Sequence, residues 1–145
     1  MSLKTDIQFD RVVSSEEQIK ELYELLKKRK YSISHSKIPD YESHYKFVKK
    51  HPYLHWFIVK DKKKSYGSFY LKKDNSIGMN LELFSKEILI LCLEFIKNNF
   101  NPQEEKDSLI PKYFYINVAY SNKKLLNTLK ELDLLPIQIS FKLGI

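Results

Sequence analysis

Cysteine is almost missing from this 145-residue chain: Cys92 stands alone, which excludes an internal disulfide and fits a reducing compartment. Arginine is nearly as rare. Arg11 and Arg29 are the only two, so 23 of the 25 basic residues are lysines. Nucleic-acid readers rely on arginine forks for bases and phosphates, so the net charge of +7 does not point to a nucleic-acid partner. One alanine, Ala119, beside abundant Ile, Asn, Tyr and Phe is the bias of AT-rich codons, which also accounts for much of the lysine excess. Long apolar runs are lacking; the longest, around Ile88 to Leu91, is far too short to span a bilayer, and no membrane partner is expected. No charged-then-apolar leader opens the sequence, from which we expect a cytoplasmic protein. Glycine is limited to Gly67, Gly78 and Gly144.

What is present is a folded domain's composition. A hydrophobic share of 43% and an aromatic share of 14% exclude a disordered chain. The length suits a single domain over residues 1–145 that buries ~70% of its unfolded surface.

Ile7 to Val13 reads as a strand, and Ser14-Ser15 before Glu16-Glu17 opens a helix. Ile19, Leu22, Tyr23 and Leu26 give that helix one apolar face and carry it to about Lys30. After a polar stretch, Asp40 caps a second helix with Tyr41, His44, Tyr45 and Val48 on one stripe, ended by Pro52. His55 to Val59, Tyr66 to Leu71 and Ile77 to Leu83 form a three-strand meander with polar turns. Ser85 caps a helix from Lys86 to about Asn98, whose Ile, Leu and Phe residues cover most of its circumference and predict all-round burial. A charged loop from Asn99 to Lys112 leads to a strand, Tyr113 to Ala119, and a helix, Lys123 to Leu132. Ile137, Ile139, Phe141 and Leu143, alternating with polar residues, predict a closing strand. The order is β-α-α-β-β-β-α-β-α-β, an α/β chain with a mixed, mainly antiparallel sheet and flanking helices.

That order, with Arg29, Ile33-Ser34-His35, Glu42-x-His44-x-x-Phe47 and Pro52-Tyr53-x-x-Trp56-Phe57-Ile58, resembles the GCN5-related N-acetyltransferase superfamily. The likeness spans Ile7 to Leu143 and is to acetyltransferases acting on amino sugars in polysaccharide synthesis. Tyr66-Gly67-Ser68-Phe69-Tyr70, Ile77-Gly78-Met79, and Asn117 with Ser121-Asn122-Lys123 extend it. The resemblance implies transfer of an acetyl group from acetyl-CoA to a small amine such as an amino sugar or sugar nucleotide. It implies Glu82 as the general base, acting directly or through water. Met79, Asn80, Leu81, Ser85, Lys86, Asn117 and Asn122 would contact CoA; Arg29, His35, His44 and Trp56 would line the acceptor site.

The family's Gln/Arg-x-x-Gly-x-Gly/Ala loop, which wraps the CoA diphosphate with backbone N–H groups, has no counterpart here. Glu82-Leu83-Phe84 runs straight into Ser85-Lys86-Glu87. A second function therefore stays open: a non-catalytic binding or assembly module of the same fold, with a homodimer equally open. Bland roles stay open for single residues too. Arg29 suits a helix C-terminus, Glu82 a solvated strand end, and Tyr53 and Trp56 a packed core. His35, His44, His51 and His55 lack the spacing of metal ligands, and no metal is expected.

Overall fold

The computed structural model describes residues 6–29, 37–106 and 109–144. Its elements run β1 (Gln8–Arg11), α1 (Glu16–Lys27), α2 (Tyr41–Lys49), β2 (His55–Lys60), β3 (Ser65–Leu71), β4 (Ser76–Leu81), α3 (Lys86–Asn99), β5 (Tyr115–Ile116) and α4 (Lys123–Glu131). The polar residues that announce helices in the sequence do cap them. Ser15 and Gln18 form a capping box on α1. Asp40, Ser85 and Asn122 accept from the N3 amides Ser43, Ile88 and Leu125.

The five strands form one sheet in the order β1-β2-β3-β4-β5, antiparallel throughout except for the parallel β4–β5 pair. Strand alternation sends Phe57, Val59, Phe69, Leu71 and Ile77 to one face, against Ile88, Cys92 and Ile96 of α3. It sends Trp56 and Ile58 to the other, against Ile19, Leu22, Leu25 and Val48 of α1 and α2. Leu125 and Leu129 of α4 pack on Leu89 of α3. Both faces of the central strands are thus covered, which explains the continuous apolar run Trp56 to Val59.

Three expectations need correction. The residues Ile137 to Leu143 join no strand of the sheet and lie exposed. Their alternation records a strand pattern but not the edge that would accept it. The strand expected over Tyr113 to Ala119 pairs only at Tyr115–Ile116, because β4 and β5 diverge beyond that point. Helix α3 buries Ile88, Leu89, Cys92 and Ile96 but leaves Ile90 and Leu91 half-exposed. The sheet and α4 cover two of its sides, and no described element covers the third.

Candidate functional site

On the α1/α2 face of the sheet the pattern turns polar. Ser68 and Tyr70 of β3 and Asn80 of β4 follow Trp56 on this face, and they floor a cavity of about 420 Å³. That volume lies in the range of small-molecule sites. Leu22, Leu25, Leu26 and Arg29 form one wall, Ser43, His44 and Phe47 another, and Lys37, Ile38, Pro39 and Tyr53 complete the lining.

Two of the three glycines shape this floor. Gly78 lies opposite Tyr70, and a Cβ there would come within 2.1 Å of the Tyr70 ring. Its absence lets that ring lie down and stack on Tyr53 at 3.8 Å and 6°. A Cβ on Gly67 would meet the Asn80 carbonyl oxygen at 2.2 Å, so this glycine permits the close β3–β4 approach beneath Asn80.

Three polar groups in the lining have defined states. The His44 Nε2 lies 2.9 Å from the Ile19 carbonyl oxygen. A carbonyl only accepts, so Nε2 carries the proton, and Nδ1 is the acceptor when the ring is neutral. Burial pushes the His44 pKa down, opposed in part by the Ile19 bond, which favours that neutral ring. Burial also raises the Tyr53 phenol, helped by Tyr70 and opposed by the Arg29 charge, so Tyr53 stays protonated. Trp56 is 8% exposed, and its indole Nε1–H has no acceptor among the described residues. A buried donor without a partner is costly, and this one belongs to a cavity-lining side chain.

Beside this floor the sheet opens. Asn117 N–H donates to the Ile77 carbonyl at 3.2 Å, and pairing between β4 and β5 ends there. From Gly78 to Leu81, β4 has β3 on one side and, among the described residues, no strand on the other. By alternation the backbone groups of Met79 and Leu81 face this gap, while their side chains pack on α3 and α4. Asn80 therefore lies on the cavity floor, between the two β4 residues whose backbone groups face the gap.

The structure brings Arg29, His44, Trp56 and Asn80 together around the cavity. Met79 and Leu81 line the gap. Glu82 follows β4 directly, half-buried and outside the cavity lining. Ser85 Oγ is engaged at the α3 cap, Lys86 Nζ lies 3.3 Å from Glu131 of α4, and Asn122 caps α4. Asn117 is exposed at the end of the β5 pairing. His35 lies outside the described residues. Sequence reasoning missed Ser68 and Tyr70; their polarity on an inward strand position was the available signal. The Cys92 thiol is buried among apolar side chains, which push its pKa up to about 12, so it takes no part in chemistry. Among the described residues no cluster of three or more His, Cys, Asp or Glu has metal-binding geometry. No helix among them is long and apolar enough to cross a membrane.

No protein-family model and no curated protein matches this chain. Solved structures do. A "possible acetyltransferase" from Clostridium difficile 630 is similar over 97% of each chain, with a TM-score of 0.58 and 16% identity. An aminoglycoside acetyltransferase, meta-AAC0020, from an uncultured soil metagenomic sample is similar over 99% of each chain at 10% identity. Its TM-score is 0.55 in complex with sisomicin and 0.54 in complex with trehalose. At such identities the likeness is one of fold, and the chain has the mixed α/β fold of these acetyltransferase structures.

Proposed function

We propose that this chain is an N-acetyltransferase that moves an acetyl group from acetyl-CoA to the amine of an anionic amino sugar, such as a sugar nucleotide. The observation that carries this reading is Asn80, which lines the cavity and stands on β4 between Met79 and Leu81, past the last β4–β5 pair. A thioester laid along the free β4 edge presents its carbonyl beside a cavity sized for a small acceptor. The backbone groups of Met79 and Leu81 supply strand-like partners for the amides of the pantetheine arm. The first-turn amides of α3 at Lys86 and Glu87 have no intrahelical acceptor and face whatever approaches that helix end. These groups fit a CoA thioester, with fewer donors for its diphosphate than a glycine-rich loop gives.

The lining selects the acceptor. Its two charged side chains, Arg29 and Lys37, are cationic, and no carboxylate lines the cavity among the described residues. That environment opposes a polycation and favours an amine whose molecule also carries phosphate. Tyr53, Tyr70 and Trp56 offer aromatic surface for a sugar or base. The neutral His44 Nδ1 offers an acceptor for hydroxyl groups.

In the reaction the neutral amine attacks the thioester carbonyl, and the C–S bond breaks. The amine's proton passes to Glu82, through water since Glu82 lies outside the lining, and the departing thiolate takes up a proton to leave as CoA thiol. The neighbouring fold of an aminoglycoside acetyltransferase seen with sisomicin and with trehalose supports a carbohydrate-like acceptor.

The deciding experiment has two parts. Calorimetric titration measures acetyl-CoA binding, and an acetyl-transfer assay compares amino-sugar nucleotides, uncharged amino sugars and aminoglycosides. Turnover highest on the nucleotides supports the proposal. Turnover highest on aminoglycosides overturns the assigned acceptor. Absence of CoA binding together with absence of turnover on every amine leaves the non-catalytic module.

A further inference from the structure

The cavity floor is laid out in two cross-strand rows. One runs Trp56, Tyr70, Gly78 across β2, β3 and β4, and the next runs Ile58, Ser68, Asn80. In the first row the Tyr70 ring and hydroxyl fill the space that a side chain on Gly78 would take, so this part of β4 is covered. In the second, Ile58 is fully buried against α1, and the open floor consists of Ser68 and Asn80. Asn80 is thus the β4 residue that the cavity reaches, and Ser68 stands one strand farther from the gap.

Ser68 is 9% exposed, a polar side chain on an inward strand position. Among the described residues, neither its hydroxyl nor the Asn80 side-chain amide has a hydrogen-bond partner. Neither is fully occluded as the Trp56 indole nitrogen is, so both open onto the cavity they line. Buried polar groups without partners are costly and rare, and on a cavity floor they point to a ligand. Residues directly opposite on paired strands have Cβ atoms about 5 Å apart. That spacing suits two polar groups on adjacent carbons of one small ring, one held by each side chain.

Chemistry separates the two positions. The charged side chains of the lining are Arg29 and Lys37, which disfavour an ammonium ion in the cavity. Asn80 Oδ1 can accept an N–H without adding the negative charge that would keep an amine protonated and unreactive. Ser68 Oγ both donates and accepts, which matches a hydroxyl.

We propose that Ser68 and Asn80 are the specificity pair of the acceptor site, Asn80 holding the reacting amine beside the gap and Ser68 the hydroxyl on the neighbouring carbon. The acceptor class is then a vicinal amino alcohol within a sugar ring, with that hydroxyl free. This inference rests on the acetyl-transfer reading for the fate of the amine, and on the floor alone for the choice of ligand.

Uridine-diphosphate-linked 2-amino and 4-amino hexoses, each beside its 3-deoxy analogue, test it, because C3 adjoins both amine positions. The natural chain is expected to favour the better 3-hydroxy compound over its analogue about fivefold in kcat/KM, the worth of one hydrogen bond between neutral groups. Ser68→Ala lowers kcat/KM for the 3-hydroxy compound by that factor and leaves the 3-deoxy compound unchanged, so the preference disappears. Asn80→Asp keeps the shape but sets a carboxylate beside the amine, and its pH-rate profile moves about one pH unit to the alkaline side. Equal turnover of the two compounds by the natural chain overturns the proposal without any variant. A preference that survives Ser68→Ala, or an Asn80→Asp profile that does not move, overturns it as well. If none of the four compounds is acetylated, the transfer reading fails, and calorimetry with the same compounds reads the pair separately. A 3-hydroxy preference in binding that Ser68→Ala abolishes supports it, and absence of binding or of preference overturns it.

Discussion

The cavity between α1, α2 and the sheet differs in kind from the gap between β4 and β5. The first is built from side chains: a stacked Tyr53–Tyr70 pair, a neutral His44, an unpartnered Trp56 N–H and two cations. The second is built from backbone, where two strands part after Ile77 and leave the gap-side backbone groups of Met79 and Leu81 without a described strand beside them. Around that gap the polar side chains are already engaged: Ser85 and Asn122 cap helices, and Lys86 meets Glu131. A side-chain site can discriminate among ligands, whereas a backbone site recognises a generic extended arm. On the proposed reading the chain's specificity belongs to the cavity and its donor recognition to the gap, and substitutions separate the two.

The largest effect is expected at Glu82, which follows the strand between the two regions. Glu82→Gln keeps the shape and removes proton acceptance, with a rate loss of about 10²–10⁴-fold and unchanged acetyl-CoA affinity. The loss shrinks at alkaline pH, where the amine deprotonates unaided. A pH-rate profile of transfer beside calorimetry reads both, and an unchanged rate at every pH removes Glu82 from the reaction.

Next comes the support of the gap. Asn75 is fully buried with φ 70; its side chain donates to the Gln103 and Pro111 carbonyls and accepts from Gln103 N–H. It thereby ties the β3–β4 turn to the loop that leads into β5. Asn75→Ala removes three hydrogen bonds, to the exposed Gln103 and the half-buried Pro111, a loss of about 3 kcal/mol at roughly 1 kcal/mol per bond. Denaturant melts check the stability, and acetyl-CoA affinity falls with it if this turn sets where β4 and β5 part.

Little of that support was legible in the sequence. Asn75 follows Asp74 in what reads as an ordinary polar turn, and nothing in the pattern distinguishes a buried asparagine from a solvated one. Helices were legible because Ser15, Asp40, Ser85 and Asn122 stand where caps must stand and the apolar faces follow at helical spacing. The meander was legible from β-branched and aromatic runs between charged turns. Alternation over Ile137 to Leu143 identified a strand-forming segment but not its neighbour, since pairing depends on where an edge lies in space. In the cavity Arg29, His44 and Trp56 came from resemblance. The orphaned indole N–H and the glycine seat for Tyr70 are products of packing that no linear spacing encodes.

The cavity's histidine sharpens the comparison through pH. His44, His51 and His55 all have pKa values lowered, each by burial first. In the unfolded chain they return towards about 6.5. A group with a depressed folded pKa that is neutral when buried leaves stability intact above the unfolded value. As pH falls below about 6.5 the unfolded state binds more protons, and stability declines until the folded pKa is reached. Each histidine contributes at most about 1.4 kcal/mol per pH unit in that window. His44→Gln can still donate to the Ile19 carbonyl, so it flattens the decline while retaining the fold. Thermal melts from neutral pH to about 5 check this, and an equally steep decline in the variant assigns the acid sensitivity to His51 and His55.

The smallest effect is the most selective. Trp56→Phe keeps an aromatic ring against Tyr53 and Phe47 and removes only the indole N–H and part of the ring's area. If that donor serves the protein alone, its removal is stabilising, because a buried donor without an acceptor is relieved of its cost. If it serves the acceptor, the same substitution stabilises the free protein and weakens the acceptor by about 1 kcal/mol, roughly fivefold. Acetyl-CoA affinity stays unchanged, since Trp56 is on β2 and the gap begins on β4, with β3 between them. The measurement is a melting temperature beside KM for the acceptor and Kd for acetyl-CoA on the same variant. A raised melting temperature with raised acceptor KM assigns the N–H to ligand recognition. A raised melting temperature with unchanged KM makes the cavity's discrimination a matter of its cations and ring faces alone.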